Sequence, residues 1–306
     1  KQKKLDLGPI IHSDDFLKSK PQFCQVEQNT PFDKGALAEQ MVSDILPSIE
    51  NNTGGEFSYH ITNCDRSLGA RLSGEIAKRY GNNGMENHPV VLNLKGIAGQ
   101  SFGVWNAGGL HLNLQGDAND YVGKGMAGGK IAIRPPEGSE FNTQDTSIVG
   151  NTCLYGATGG KFFAAGRAGE RFAVRNSGVN AVVEGAGDHC CEYMTGGHVT
   201  ILGDTGVNFG AGMTGGFAYV YDPKRRLKKR FNAELIDLHS FNSPELATHV
   251  TYLQQVLSEF VAETGSEWGQ YLLDNFGMAS SQFVLVKPKA SNIDTLLTVS
   301  VQEQVA

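Results

Sequence analysis

The sequence has little of what marks a metal site, a disulfide framework or a membrane span. Its 306 residues include five cysteines, Cys24, Cys64, Cys153, Cys190 and Cys191, an odd number at irregular spacing. Such a set is neither a disulfide framework nor a zinc ligand pattern, and it predicts a reducing, cytoplasmic setting. No apolar run approaches the roughly 20 residues of a membrane-spanning helix, and the Lys-rich start leads into no signal-peptide core. No membrane partner is expected. The net charge of −6 argues against nucleic acid as a partner. A chain that opens on Lys1 reads as a piece of a longer one.

Glycine is abundant instead, and its spacing is regular. Of 39 glycines, 28 fall between Gly96 and Gly216. Gly160, Gly178, Gly197 and Gly216 follow at intervals of 18, 19 and 19. Gly150, Gly169, Gly187 and Gly206 run at 19, 18 and 19, and Gly166, Gly185 and Gly203 at 19 and 18. Three in-phase series with one period predict a solenoid with several tight corners per turn. Between the corners lie short runs rich in β-branched and aromatic residues, such as Leu110-His-Leu-Asn-Leu114, Val199-Thr-Ile-Leu202 and Phe217-Ala-Tyr-Val-Tyr221. Most alternate with period two, and none shows helical periodicity, so each turn of about 19 residues is expected to hold two or three strands of a parallel β-helix. The 31-residue step from Gly129 to Gly160 carries Pro135-Pro136-Glu137-Gly138, read as a loop thrown out between coils.

The flanks differ in character. Leu37, Met41 and Ile45 form a helical stripe that Pro47 is expected to stop, Phe57, Tyr59 and Ile61 alternate as a strand, and Asp65 is placed to cap a helix carrying Leu68, Leu72 and Ile76. Beyond the repeats, Ser243-Pro244-Glu245 opens a helix with Leu246, Val250, Leu253, Leu257 and Phe260 on one face, closed by Gly265. A shorter helix from Ser266 to Asn275 and the strand Phe283-Val-Leu-Val286 follow, expected to pack against the far end of the solenoid. The expected organisation is an α/β lead-in and cap over residues 1–89, a glycine-repeat β-helix over 90–222, and a basic loop with helices over 223–306.

Candidate chemistry is sparse. Gly123-Lys-Gly125-Met-Ala-Gly128 and Gly210-Ala-Gly212-Met-Thr-Gly215 match a dinucleotide fingerprint in letters, but a short β run follows each where a helix N-terminus should receive a pyrophosphate. Gly129-Lys130 and Gly160-Lys161 fail as phosphate loops because Ile131 and Phe162 stand where a hydroxyl must bind magnesium. His189, Cys190, Cys191 and His198 form the one soft-ligand cluster, and as strand neighbours the two cysteines would point to opposite faces. Asp204 and Asp222 read as corner residues and Glu184 as isolated, so no carboxylate pair suits glycoside hydrolysis. The run Lys224-Arg-Arg-Leu-Lys-Lys-Arg230 reads as a solvated loop or as a dock for an acidic surface. No catalytic, cofactor-binding or metal-ligating residue is assigned.

Longer strings carry a resemblance. Gly116-Asp-Ala-Asn-Asp-Tyr-Val-Gly-Lys-Gly-Met-Ala-Gly-Gly129, Asn151-Thr-Cys-Leu-Tyr-Gly-Ala-Thr-Gly-Gly160, Ala165-Gly-Arg-Ala-Gly-Glu-Arg-Phe172 and Gly206-Val-Asn-Phe-Gly-Ala-Gly-Met-Thr-Gly-Gly-Phe-Ala-Tyr219 resemble the C-terminal glycine-repeat domain of the glutamate synthase large subunit. Cys191-Glu-Tyr-Met-Thr-Gly-Gly197 and Gly69-Ala-Arg-Leu-Ser-Gly-Glu-Ile76 fit the same family, and the likeness covers nearly the whole chain. A right-handed parallel β-helix of about seven turns, with a structural, domain-spacing role, is what the resemblance implies. It also implies a parent enzyme that makes two glutamates from glutamine and 2-oxoglutarate. That parent would carry FMN and a 3Fe-4S cluster, with NADPH electrons arriving through an FAD-bearing small subunit. Implied partners are the glutaminase and FMN-binding domains of the same polypeptide, and the small subunit. None of the family's catalytic residues maps onto this sequence: residue 1 is Lys where the family has a nucleophilic cysteine, and no three cysteines match its cluster motif. Two function classes stay open: a non-catalytic scaffold and interface module, and a stand-alone enzyme or ligand-binding module acting in a groove along the coils.

Overall fold

A computed structural model describes residues 5–12, 15–28 and 35–302. The chain divides into two units, Lys1–Lys34 and Gly35–Ala306. The first contains two single-turn helices, Gly8–Ile11 and Asp15–Lys18, without buried residues.

The second unit is a parallel β-solenoid of about seven turns. Helix α1 (Ala36–Glu50), strand β1 (Gly55–Ile61) and helix α2 (Ala70–Tyr80) lead into it. Its strands are β2 (Val90–Ala98), β3 (Leu110–Ala118), β4 (Ala127–Arg134), the short β5 (Ser147–Val149), β6 (Gly159–Ala168), β7 (Ser177–Gly185), β8 (Thr195–Ile201) and β9 (Gly215–Tyr221). Strands β10 (Ile236–Ser240) and β11 (Phe283–Pro288) close the sheet in antiparallel fashion, in the order β1-β2-β3-β4-β6-β7-β8-β9-β11-β10. Helices α3 (Ala247–Thr264), α4 (Glu267–Asp274) and α5 (Ile293–Gln302) complete it.

Because the central residues of successive strands pair one for one, equivalent side chains stack in columns, with register shifts confined to the strand ends from β4 onward. Phe57, Leu92, Leu112, Ile131, Phe162, Ala181, Val199 and Ala218 form one inward column. Leu94, Leu114, Ile133, Ala164, Val183, Ile201 and Val220 form a second, and both belong to one continuous buried core. Met41, Ile45, Leu72 and Ile76 of the two lead-in helices join that core. A stacked β core needs such a cover where its ladder begins.

Each turn holds one long strand, not the two or three expected. The opposite wall is a ribbon in which every second residue has φ > 0: Ser101, Gly103 and Trp105, then Tyr121, Gly123 and Gly125, then Thr152, Leu154 and Gly156. Arg171, Ala173 and Arg175, His189, Cys191 and Tyr193, and Asn208, Gly210 and Gly212 continue it. The N–H groups of successive left-handed residues point to opposite edges, so bonds run both ways between coils. Trp105 N donates to Lys124 O at 2.9 Å and Tyr193 N to Ala211 O at 2.8 Å, while Cys191 N donates back to Phe172 O at 2.9 Å. A left-handed non-glycine residue costs about 1–2 kcal/mol, and a buried N–H left unpaired costs a similar or larger amount, about 1–3 kcal/mol. The bonds therefore hold the ribbon in place.

Other local readings change. Helix α1 runs through Pro47 to Glu50, because Ile49 at 0 % exposure adds another turn to its buried stripe. Asp65 caps no helix; its carboxylate accepts from the Thr62 N–H at 2.8 Å, and α2 begins after Gly69. The insertion between β4 and β6 is a loop as far as Asp145, but β5 then pairs with β3 and β6 and fills the gap in the stack. The basic run is solvent-exposed over most of its length, as a solvated loop would be, but it is folded as an end cap: Leu227 is buried, Asp222 accepts the Arg226 and Leu227 N–H groups at 2.7 and 2.9 Å, and Arg226 pairs with Asp204 at 2.8 Å. Helices α3 and α4 lie on the outer face of the sheet, while the far end of the ladder is continued by β11 and β10.

The corner glycines act in two ways. Gly197 sits at φ 71°, and a Cβ there would meet Val179 O at 2.5 Å. Gly178 is not left-handed, but its Cβ would meet Thr158 O at 2.1 Å. Gly197→Val and Gly178→Val are each expected to cost about 2–4 kcal/mol, read as a fall in the urea midpoint; an unchanged midpoint in either variant would refute the close-packed corner at that site.

Candidate functional site

The outer face of the sheet changes character along the stack. One outward column reads Glu56, Val91, His111, Lys130, Lys161, Asn180, His198, Phe217, and its neighbour Ser58, Asn93, Asn113, Ala132, Phe163, Val182, Thr200, Tyr219. The early coils alternate buried and accessible residues, as Leu-His-Leu-Asn-Leu does in β3. The late coils are buried on both faces, as Phe-Ala-Tyr-Val is in β9. A sheet that is apolar on both faces requires a covering layer, and α3 supplies it.

Helix α3 crosses the strands and touches successive coils at matched spacing. Glu263 pairs with Lys130 of β4 at 2.6 Å and Glu259 with Lys161 of β6 at 2.5 Å. Tyr252 Oη lies 3.1 Å from His198 Nδ1 of β8, and Tyr219 Oη of β9 lies 2.6 Å from His249 Nδ1. From His249 to Glu263 an α-helix rises about 21 Å, and the four strand steps from β4 to β9 span about 19 Å. One helix therefore clamps five coils. Between these polar ties, Phe163, Val182, Leu202, Phe217 and Tyr219 bury against Leu253, Leu257 and Phe260.

Two ionisable groups are sealed under this cover. Burial, with a smaller contribution from the Lys161 ammonium, pushes His198 down to about 3. The ring is neutral and stacks on Phe217 at 5.5 Å. Glu184 has no exposed surface; it accepts from Ser266 Oγ at 2.5 Å while that hydroxyl caps α4 by accepting from Gly269 N at 2.8 Å. Burial raises the Glu184 carboxyl above its ordinary range, and its Oε2 has no hydrogen-bond partner among the described residues. Glu184 is thus a buried tie between β7 and α4, not the isolated carboxylate of the sequence reading.

The remaining candidates scatter. Gly123, Gly125, Gly210 and Gly212 occupy left-handed ribbon positions ahead of β4 and β9, and no helix follows either motif. His189 turns to Glu192 at 2.7 Å, away from the sheet position of His198. Cys190 and Cys191 do not diverge: they lie in the ribbon, both buried, with their sulfurs 3.7 Å apart. The reason is backbone geometry, since side chains alternate faces only in extended chain. Cys153 is buried with its thiol pushed up to about 12, and donates to Gly150 O at 3.3 Å. Among the described residues, no group of three His, Cys, Asp or Glu side chains is placed to hold a metal ion. The early outer face leaves an open groove of about 510 Å³ lined by Ser58, His60, Asn93, Lys95, Gln115 and Arg134. No helix of the described residues is long and apolar enough to cross a membrane.

A solenoid whose walls are built from glycine-punctuated coils defines a class, and residues 36–289 match the GXGXG motif family. The chain belongs to that family. It is 50% identical over 252 residues to ferredoxin-dependent glutamate synthase 2 of Synechocystis sp., covering 82% of this chain and 16% of that protein. It is 43% identical to the glutamate synthase [NADH] of Schizosaccharomyces pombe, over 94% of this chain and 14% of the relative. With the glutamate synthase [NADPH] large chain of Bacillus subtilis the identity is 41%, over 100% and 20%. The chain thus spans a fifth or less of these relatives, and their names differ in the electron donor.

The sealed groups make opposite pH predictions. His198 is held neutral in the fold, so its contribution is complete above pH 6.5 and is lost as pH falls toward 3, when the unfolded chain takes up the proton first. Glu184 has a raised folded value, so it favours the fold at low pH and opposes it as pH rises above 4.5. Glu184→Gln, which keeps an acceptor for Ser266, should gain stability over wild type progressively above pH 4.5, followed by urea midpoints from pH 4 to 8. A difference that does not change with pH would contradict the buried, proton-favouring environment.

Proposed function

We propose that this chain is a non-catalytic structural and interface module of a glutamate synthase large subunit. The observation that supports it best is how the buried polar groups are used. Glu184, His198 and His249 all tie the covering helices to the sheet. Groups committed to such bonds are not free to bind or activate a substrate. In this reading the residues divide into a lead-in and cap (1–89), the solenoid (90–222) and the basic end cap with helices (223–306).

The parent activity is the formation of two glutamates from glutamine and 2-oxoglutarate, with FMN and a 3Fe-4S cluster in the remainder of the polypeptide and NADPH electrons delivered through an FAD-bearing small subunit. The cysteines of this chain do not fit the cluster. Cys153, Cys190 and Cys191 are buried thiols, the first held well above the range in which a thiolate ligand forms, and Cys24 and Cys64 are exposed. No step of the parent reaction is therefore routed through this module. Its contribution is geometric: a clamped stack presents fixed walls to the glutaminase and FMN-binding domains, in a cytoplasmic enzyme.

Deletion of Gln115–Asp222 from the full-length subunit tests this reading. Loss of solubility, or loss of coupling between glutamine- and ammonia-dependent glutamate formation, is expected. A soluble deletion variant with full cofactor content and both activities intact would rule out the scaffold role.

A further inference from the structure

The ribbon wall carries side chains that its backbone does not favour. Left-handed positions suit glycine and asparagine, and bulky residues there are outliers. Yet Trp105, Tyr121, Arg171, Arg175 and Tyr193 occupy them at φ between 53° and 63°. Strained positions persist where the surroundings hold them, and they concentrate at functional surfaces. Three of the five large exposed aromatic residues described in the unit Gly35–Ala306 lie on this wall: Trp105 at 64%, Tyr121 at 40% and Tyr193 at 58%.

The next coil makes room for two of these rings. A Cβ at Gly125 would come within 2.7 Å of the Trp105 ring, and one at Gly212 within 2.5 Å of the Tyr193 ring. Each ring therefore rests against glycine backbone while most of its surface faces solvent, and little conformational freedom is left to lose on binding. Four coil steps separate the two rings, about 19 Å. Between them project Arg171 and Arg175, and among the described residues neither guanidinium has an ion-pair partner. Of the acids beside them, Glu192 is bound to His189 and Asn208, Asp188 accepts the Val207 N–H at 2.8 Å, and Glu170 is exposed at the corner before Arg171 without an ion pair among the described residues. Lys124 lies over the Tyr121 ring at 5.6 Å.

Trp, Tyr and Arg in one rigid patch are the residue types that dominate protein interfaces. The other surfaces are accounted for differently. The late outer face is clamped by α3, and the ladder is covered by α1 and α2 at its start and continued by β11 and β10 at its finish. The early outer face is polar. The chain also spans only 14–20% of the glutamate synthases it matches, so most of such a polypeptide lies outside it.

We propose that the ribbon wall is the face on which the rest of a glutamate synthase polypeptide docks, with Trp105 and Tyr193 as apolar anchors and Arg171 and Arg175 meeting acidic groups of the docked surface. This rests on reading the chain as a scaffold module and adds which wall is used and what chemistry meets it. The occupant is an acidic surface patch with an apolar centre, on the same polypeptide.

Hydroxyl-radical footprinting of the full-length polypeptide, read by mass spectrometry at Trp105 and Tyr193, tests it, with the half-exposed Tyr271 on α4 as internal reference. Both anchors should oxidise at least about tenfold more slowly than in an Arg171→Glu/Arg175→Glu double variant, the change expected from removing an interface hot spot. Among the described residues neither arginine side chain has an ion-pair partner, and an unchanged Tyr271 rate will verify that the variant is folded. Rates at Trp105 and Tyr193 that match their exposure in this chain, unchanged by the double variant, would overturn the proposal. Protection that disappears on dilution would also overturn it, because the occupant would then be a second copy. Open anchors in a polypeptide that still fails on deletion of the module would leave the scaffold reading standing and discard this wall.

Discussion

Coil-to-coil hydrogen bonding through the left-handed ribbon is the constraint on which the rest of this structure depends. A parallel sheet alone closes one wall of a coil. The chain must return to its starting edge in about ten residues, and the return path must bond to its neighbours as regularly as the sheet does. A ribbon with φ > 0 at every second residue does so, with N–H groups such as those of Trp105 and Tyr193 donating to the following coil and that of Cys191 to the preceding one. The apolar columns of Leu112, Ile131 and Phe162 can stack in register only because both walls advance by the same step. Glycine periodicity follows from this geometry, since backbones that approach within van der Waals contact leave no space for a Cβ at sites such as Gly178.

The clamp by α3 is a second consequence. Strands that repeat at one fixed step present a regular row of outward side chains, and a helix can grip that row when its own periodicity comes into step with it. Glu259 and Glu263, four residues apart, meet Lys161 and Lys130 on paired strands, and His249 and Tyr252 meet the aromatic and histidine positions of β9 and β8. The ion pairs are partly exposed and contribute modestly. The burial of Phe163, Leu257 and Phe260 contributes more, at about 1.5–3 kcal/mol per side chain. Rigidity of this kind suits the scaffold role proposed above.

Much of this was legible from the residues. The three glycine series, the alternating runs and the strings around Gly116–Gly129 and Gly206–Tyr219 lead to the solenoid and to its family. The ribbon was not, because Tyr121, Thr152, Arg171 and Arg175 carry no left-handed signature; their conformation is imposed by the neighbouring coils. The covered half of the sheet had a signal that went unused: Leu-His-Leu-Asn-Leu in β3 leaves one face open, whereas Phe-Ala-Tyr-Val in β9 is apolar on both. Glu184 looked isolated because its partner Ser266 is 82 residues away in sequence. The roles of Asp222 and Leu227 in the end cap were hidden by the surrounding basic charge.

Amide hydrogen exchange in the ribbon and in the sheet, compared along the stack, tests the central claim most directly. Gly123, Leu154, Ala173 and Cys191 donate from the ribbon to the preceding coil at 2.8–2.9 Å, as strand residues do within the sheet. If the ribbon is a second bonded wall, these amides exchange in the same slow class as those of Leu112, Ile131 and Val182, and open only with the whole stack. Exchange at the rate of an ordinary surface turn, while the strand amides stay protected, would contradict it.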